Sequence, residues 1–379
     1  SNPFQERKIV NSTYPSLSHL SFIVKSCKMK KFLLCVFLGV FLFMTGGVKA
    51  QSGVFDPADP NVVFTTTNQP AQPAWNSIAK WGHTNRLSWA NKTPFQYGYK
   101  CYYYNGMVFR VKFPKSYQHN VADGKKYPMM LFLHGLGERG TVYDNEYQLR
   151  HGGQQHAQRV DDGTFDGFLL YPQNTDGFFS NGAFDIIARF ADSMAKHIKL
   201  DINRIVVSGL SSGGQGSWGF LAYNPRLFAA AMPISAASLG YIAPMNSHIT
   251  VPIWIANGGL DPAPAPYTVN EVITAYENLG GNIRQFFYPN GGHGIWGNFW
   301  NDPDYFPGLS SFHKANPHVF FGRTEFCPGD PVSVRMGLQA GFNAYQWRKD
   351  GVVIPGATGN EYTTTTFGTY DARFRRTAT

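Results

Sequence analysis

Between residues 127 and 288, short apolar runs alternate with longer stretches whose apolar residues recur every three or four positions. The runs are 127–133, 168–171, 205–207, 228–234, 251–256 and 283–288. Near-continuous apolar character over four to seven residues suits strands covered on both faces. Between them, 183–197 places Phe184, Ile187, Phe190, Ala191 and Met194 at helical spacing, with Ile198 just beyond. This predicts an amphipathic helix. A second helix is expected over 269–279, stopped by Gly280-Gly281. The polar stretch 141–164 reads as loop with room for one helix. Strands alternating with helices predict an α/β fold, with a mostly parallel sheet and helices on both faces. Ahead of it, 102–114 reads as a hairpin turning at Asn105-Gly106. Residues 51–95, rich in Pro, Asn, Gln and Thr, predict a meandering arm. After about residue 318 the period changes to short alternating strands with turns at Asp350-Gly351 and Pro355-Gly356. That pattern predicts a small, partial β-sandwich with Trp347 as its core anchor.

The N-terminus has a different texture. Lys28-Met29-Lys30-Lys31 precedes an apolar run over 32–44 and the small-residue exit Val48-Lys49-Ala50. A basic start, a short apolar stretch and such an exit predict a secretory signal peptide over 29–50, cleaved after Ala50. Residues 1–28 then stand upstream of it. The run is short for a membrane span, so no stable membrane anchor is expected after cleavage. The location implied is secreted, periplasmic or cell-surface.

Composition adds two things. The net charge of +9 is concentrated, since residues 1–50 supply +6 of it and leave +3 for the rest. A balance that small gives no case for a nucleic-acid partner. Of four Cys, Cys101 and Cys327 follow the leader, and they are expected to remain separate thiols. Neither has a nearby His at metal-ligand spacing, so no metal site is expected.

The candidate chemistry sits after the run 205–207. Gly209-Leu210-Ser211-Ser212-Gly213 is G-x-S-x-G between a predicted strand and a predicted helix. There the central Ser is held on a strained strand-to-helix turn, and Gly two places away on either side avoids backbone collision. An acyl-transfer Ser needs a base, an orienting acid and an oxyanion hole. Downstream, Asp261 follows the run 251–256 and His293 follows 283–288, which is the chain order Ser, acid, His. One oxyanion donor is expected from the N–H of Ser212. The other is expected from Leu136, in the Gly-rich loop His134-Gly135-Leu136-Gly137-Glu138-Arg139-Gly140. Trp218, Trp296 and Trp300 lie near the nucleophile or the His in sequence. They are candidates for substrate contact, and equally for core or rim packing.

These residues resemble the α/β-hydrolase superfamily. Within it, the H-G-x-G-E-R-G form is similar to secreted bacterial esterases of the feruloyl-esterase and poly(3-hydroxybutyrate)-depolymerase type, over roughly residues 95–300. The resemblance implies Ser211 as nucleophile, His293 as general base and then acid, Asp261 as orienting acid, and Leu136 and Ser212 as oxyanion donors, with no cofactor. Ser212 departs from the Met, Gln or Ala of many relatives, but a backbone donor survives that change. The tail is similar to immunoglobulin-like modules appended to secreted hydrolases. Ala372 stands where an immunoglobulin Cys would be, so no inter-sheet disulfide is expected. The organisation expected is thus a catalytic domain over 51–318 and the module over 319–379. The expected activity is hydrolysis of carboxylic esters on polymeric substrates such as feruloylated or acetylated plant polysaccharide. A polyester depolymerase, acting on polyhydroxyalkanoate or aromatic polyester, a serine peptidase and a non-catalytic adhesion protein remain open at this point.

Overall fold

Met129, Leu131 and Leu133 project to one face of the central sheet and Met130 and Phe132 to the other, and all five are buried. That double burial is why the strand carries no polar residue: both of its faces are core. The computed structural model describes residues 51–59, 63–65, 67–83 and 97–376. The signal segment 29–50 and the upstream residues 1–28 lie outside the described residues.

The arm opens with a 3₁₀ turn over Gln51–Phe55, followed by β1 (Val63–Phe64), β2 (Ala79–Lys80) and β3 (Gly82–His83). The hairpin is β4 (Lys100–Tyr104) and β5 (Met107–Lys112). Its turn takes Asn105 at φ 53° and Gly106 at φ 84°, the left-handed pair that an Asn-Gly hairpin requires. Then come β6 (Tyr127–Leu133), α1 (Gly153–Asp161), β7 (Phe168–Gln173), α2 (Asn181–His197), β8 (Leu200–Leu210), α3 (Ser212–Tyr223) and β9 (Ala230–Ile234). The alternation continues with β10 (Ile253–Gly258), α4 (Pro266–Asn278), β11 (Ile283–Tyr288), α5 (Trp296–Trp300) and α6 (Tyr305–Ser311).

The central sheet runs β11-β10-β9-β8-β6-β7-β5-β4-β2. It is parallel from β11 through β7 and antiparallel from β5 outward. One face packs on α2, α3 and α4 through Phe184, Ile187, Phe190, Trp218, Phe220, Val269 and Val272. The other face packs on α1, α5 and α6 through Ala157, Val160, Phe299, Trp300, Phe306 and Leu309. This is the α/β fold with helices on both faces that the pattern predicts.

Two local expectations shift. The run 168–171 extends two residues further, because β7 continues through Pro172 to Gln173. The ladder with β6 ends at Leu170, and Pro172 lies beyond it, opposite Phe109 of β5. The arm is also more than a meander, since Phe55, Phe64 and Trp81 are buried, with Phe55 against Tyr102 and Phe190.

The tail forms two three-stranded antiparallel sheets. One is β12 (His318–Val319), β13 (Val334–Gly337) and β16 (Glu361–Thr364); the other is β14 (Ala344–Lys349), β15 (Val352–Val353) and β17 (Tyr370–Arg375). Met336, Leu338, Trp347 and Ala372 form their common core, a partial sandwich. Trp347 donates its indole N–H to Gly359 O at 3.0 Å and lies opposite Ala372 in register. Gln339 bonds Thr250 and Ser247, Arg226 bonds Gly341 O, and Arg376 bonds Asn203, so the tail is tied to the larger sheet. Cys101 is buried in β4 and Cys327 is exposed in the tail, and they are not joined to one another. No helix of the described residues is long and apolar enough to cross a membrane.

Candidate active site

β8 ends at Leu210, and α3 begins at Ser212. Ser211 between them sits at φ 54°, ψ −119°, a strained conformation for any residue but Gly. Its N–H donates to Ile234 O at 2.9 Å, anchoring the turn to the end of β9. The turn is tight enough to exclude side chains on either side. A Cβ on Gly213 would lie 2.0 Å from Leu133 O, and one on Gly209 would lie 2.3 Å from Gly213 O. The G-x-S-x-G spacing therefore follows from close backbone approach.

Asp261 and His293 reach the turn from beyond the ends of β10 and β11, two and three strands away from β8 in the sheet. Their loops are zipped together by Gly259 N–H to Tyr288 O and Leu260 N–H to Gly291 O, each 2.8 Å. The approach is so close that a Cβ on Gly258 would lie 2.3 Å from Gly291 O. His293 Nε2 lies 2.9 Å from Ser211 Oγ, and its Nδ1 lies 2.8 Å from Asp261 Oδ2. The second carboxylate oxygen of Asp261 accepts from Ala263 N–H at 2.9 Å. Because a carboxylate only accepts, Nδ1 carries the proton and Nε2 is the free acceptor facing the hydroxyl. The structure thus brings together three residues separated by up to 82 positions in the chain.

Leu136 opens a 3₁₀ turn over Leu136–Glu138 that packs beside the Ser turn. A Cβ on Gly135 would meet Leu210 Cδ1 at 2.7 Å. The Gly135–Leu136 peptide is held by its surroundings. His134 is fully buried and pushed below the usual imidazole range by that burial. Its Nε2 accepts from Asn174 N–H at 2.9 Å, which leaves the proton on Nδ1 to donate to Gly135 O at 2.8 Å. In a trans peptide, fixing Gly135 O on one side turns Leu136 N–H to the opposite side. Ser212 is the first residue of α3, where a helical N–H has no partner within the helix.

Sequence reasoning missed several supporting groups. Glu138 Oε2 accepts from Gly135 N–H at 2.7 Å, and Gln173 donates to Glu138 O at 2.7 Å. The G-x-x-E spacing of the loop is the back half of a capping box and could have signalled the first contact. Ser235 donates to His293 O at 2.7 Å, and no local pattern marks it.

Of the three tryptophans, two are corrected. Trp218 is 2% exposed, donates to Ala236 O and stacks on Tyr241. Trp300 is 3% exposed and packs on Phe132 and His156. Both lie on helix faces turned to the core, so neither offers a ring to a substrate. Trp296 is half-buried, with its ring edge-on to His293 at 6.1 Å between centroids. Among the described residues no three His, Cys, Asp or Glu side chains group as metal ligands.

No protein-family model and no curated protein matches the chain. Among solved structures it is similar to a thermostable esterase, 26% identical over 55% of this chain and 59% of that one, at TM-score 0.49. It is similar to a ferulic acid esterase, 20% identical over 54% and 92%, at TM-score 0.41. It is also similar to a fluorophosphonate-binding serine hydrolase of Staphylococcus aureus, 16% identical over 54% and 91%, at TM-score 0.43. The chain thus spans 59% of the length of the first of these. These neighbours are described as esterases and serine hydrolases; the present chain has a mostly parallel sheet with helices on both faces and a strained Ser turn at the end of β8.

Proposed function

We propose that the chain is a serine hydrolase that cleaves carboxylic esters through an acyl-enzyme on Ser211. The observation that carries this reading is the continuous hydrogen-bonded path from Ser211 through His293 to a buried Asp261. In the proposed cycle His293 Nε2 takes the Ser211 proton as Oγ attacks the ester carbonyl. The oxyanion rests on the N–H groups of Leu136 and Ser212. The imidazolium, stabilised by Asp261, then gives its proton to the departing alcohol. Water repeats the sequence on the acyl-enzyme: His293 takes its proton, the hydroxyl adds to the acyl carbon, and the collapse returns the proton to Ser211. The scheme calls for no metal or organic cofactor.

We further propose export of the mature chain and a polymeric substrate. The basic and apolar leader supports export. The exposed side chains of Leu136, whose N–H is the first donor, and of Leu260, next to Asp261, support an apolar contact at the site. Feruloyl or acetyl esters on polysaccharide and the ester links of an aliphatic or aromatic polyester share that chemistry.

The test is labelling with a fluorophosphonate, then turnover on p-nitrophenyl acetate, a matched anilide, feruloylated cell-wall material and a polyester film. Stoichiometric labelling at Ser211, loss of both labelling and turnover in Ser211→Ala, and ester turnover far above anilide turnover are expected. Unchanged turnover in Ser211→Ala overturns the reading. Equal anilide turnover shifts it to a peptidase, and absence of labelling to a binding protein.

A further inference from the structure

We infer that His151, outside the Ser-His-Asp set, is a positioning residue that holds both the oxyanion turn and the base loop. The inference rests on the serine-hydrolase reading above and adds a residue to it. His151 lies between the 3₁₀ turn Tyr147–Leu149 and α1, on a strap that crosses the end of β7. The strap is fixed there by Gly140 N–H to Asn174 O and by Gln148 N–H to Gln173 Oε1.

On one side His151 meets Glu138, whose side chain is only 3% exposed. Glu138 Oε1 accepts from His151 Nδ1, and Oε2 accepts from Gly135 N–H at 2.7 Å. Burying a carboxylate is unfavourable unless donors replace the lost water. Among the described residues Glu138 has one donor per oxygen, and the second is the Gly135 N–H, in the peptide just before the one that carries the Leu136 N–H. Removal of the His151 donor leaves Oε1 unsatisfied in a site with little water. The carboxylate then rotates to recover a partner, and the Gly135 N–H it holds moves with it. Oxyanion donors act over a narrow range of distance, so a small rotation of that turn weakens the charge stabilisation.

On the other side the His151 ring packs against Trp296 at 5.1 Å between centroids, and Trp296 is edge-on to His293 at 6.1 Å. One imidazole thus bears on the donor turn through Glu138 and on the base through Trp296. His151 does not touch the Ser211 hydroxyl, and its side chain is 35% exposed, so it is replaceable without opening the core.

The two roles separate by substitution. His151→Phe keeps a ring against Trp296 and removes the donor. His151→Gln keeps a side-chain N–H for Glu138 and removes the ring. Both are compared with wild type for kcat and KM on p-nitrophenyl acetate, for inhibition by phenylboronic acid, and for Tm. The boronate forms an anionic tetrahedral adduct on Ser211 and so reads the donor turn directly. His151→Phe is expected to lose about tenfold in kcat and in boronate affinity, with KM within about twofold, and to melt below His151→Gln because Glu138 Oε1 is left without its donor. His151→Gln is expected to recover most of the boronate affinity. Wild-type kcat and boronate affinity in His151→Phe overturn the inference. So does a loss that follows a fall in Tm in both variants alike, because that is a purely structural role. If Ser211→Ala stays active, the serine-hydrolase reading itself fails; if Ser211→Ala is inactive and His151→Phe is normal, only this inference fails.

Discussion

Asp261 and His293 meet at 2.8 Å across a sharp gradient of exposure: the carboxylate is wholly buried, and the imidazole is 39% exposed. The carboxylate is therefore locked on the protein side while the imidazole faces solvent. Asp261→Asn keeps the shape but can present an N–H to Nδ1. That drives the imidazole proton onto Nε2, where it can no longer accept from Ser211. Turnover on a soluble ester is expected to fall about 10³- to 10⁴-fold with the fold intact. A variant within tenfold of wild type sinks the orienting role assigned to Asp261.

Gly213→Ala tests the tightness of the Ser turn. The added methyl would meet Leu133 O at 2.0 Å and His134 O at 2.5 Å, and both are backbone atoms that cannot swing away. A loss of about 3 kcal/mol or more, or failure to fold, is expected. Gly219→Ala, in the same helix, would only touch Phe184 at 3.4 Å and is expected to stabilise by about 0.5–1 kcal/mol. Guanidinium unfolding midpoints check the pair, and equal shifts in the two variants contradict the close approach described.

Acid should weaken the fold through buried histidines. Burial pushes His156 down to about 3 and His248 down to about 4. Both folded values lie below the unfolded one, so the stability these groups contribute is complete above the unfolded pKa. It is lost as pH falls from there toward the folded value. Glu146, pushed up to about 7 by burial, works in the opposite sense over part of that range. The prediction is therefore read as a difference. The gap in unfolding free energy between wild type and His156→Gln should shrink by about 1.4 kcal/mol per pH unit on going from pH 6.5 to 4. Parallel curves would show that His156 titrates normally in the fold.

Trp300 and Trp296 occupy one short helix and should behave oppositely. Trp300→Ala empties a site against Phe132 and His156 and is expected to cost about 3–5 kcal/mol. Trp296→Ala is expected to cost about 1 kcal/mol and to lower turnover, because its ring borders His293. Urea unfolding alongside ester kinetics separates them; a larger stability loss at Trp296 contradicts the burial assigned here.

The sequence by itself determined the parallel strands of the central sheet, the helices α2, α3 and α4, the Asn-Gly hairpin, the Ser turn and the order Ser, Asp, His. Those are local matters; β2, α5 and α6 carried no such signal. An apolar run shows that both faces of a strand are covered, a period of three to four shows an amphipathic helix, and paired glycines show a turn with no room for Cβ. Tertiary structure alone decided the rest. It turned Trp218 and Trp300 inward while leaving Trp296 at the site, let β7 run past Pro172, and folded Phe55 of the arm against Phe190. It also joined His134 to Asn174, Glu138 to His151 and Ser235 to His293. No local pattern carries those contacts, because each depends on where two distant stretches of chain cross, and that is set by how the sheet packs its layers.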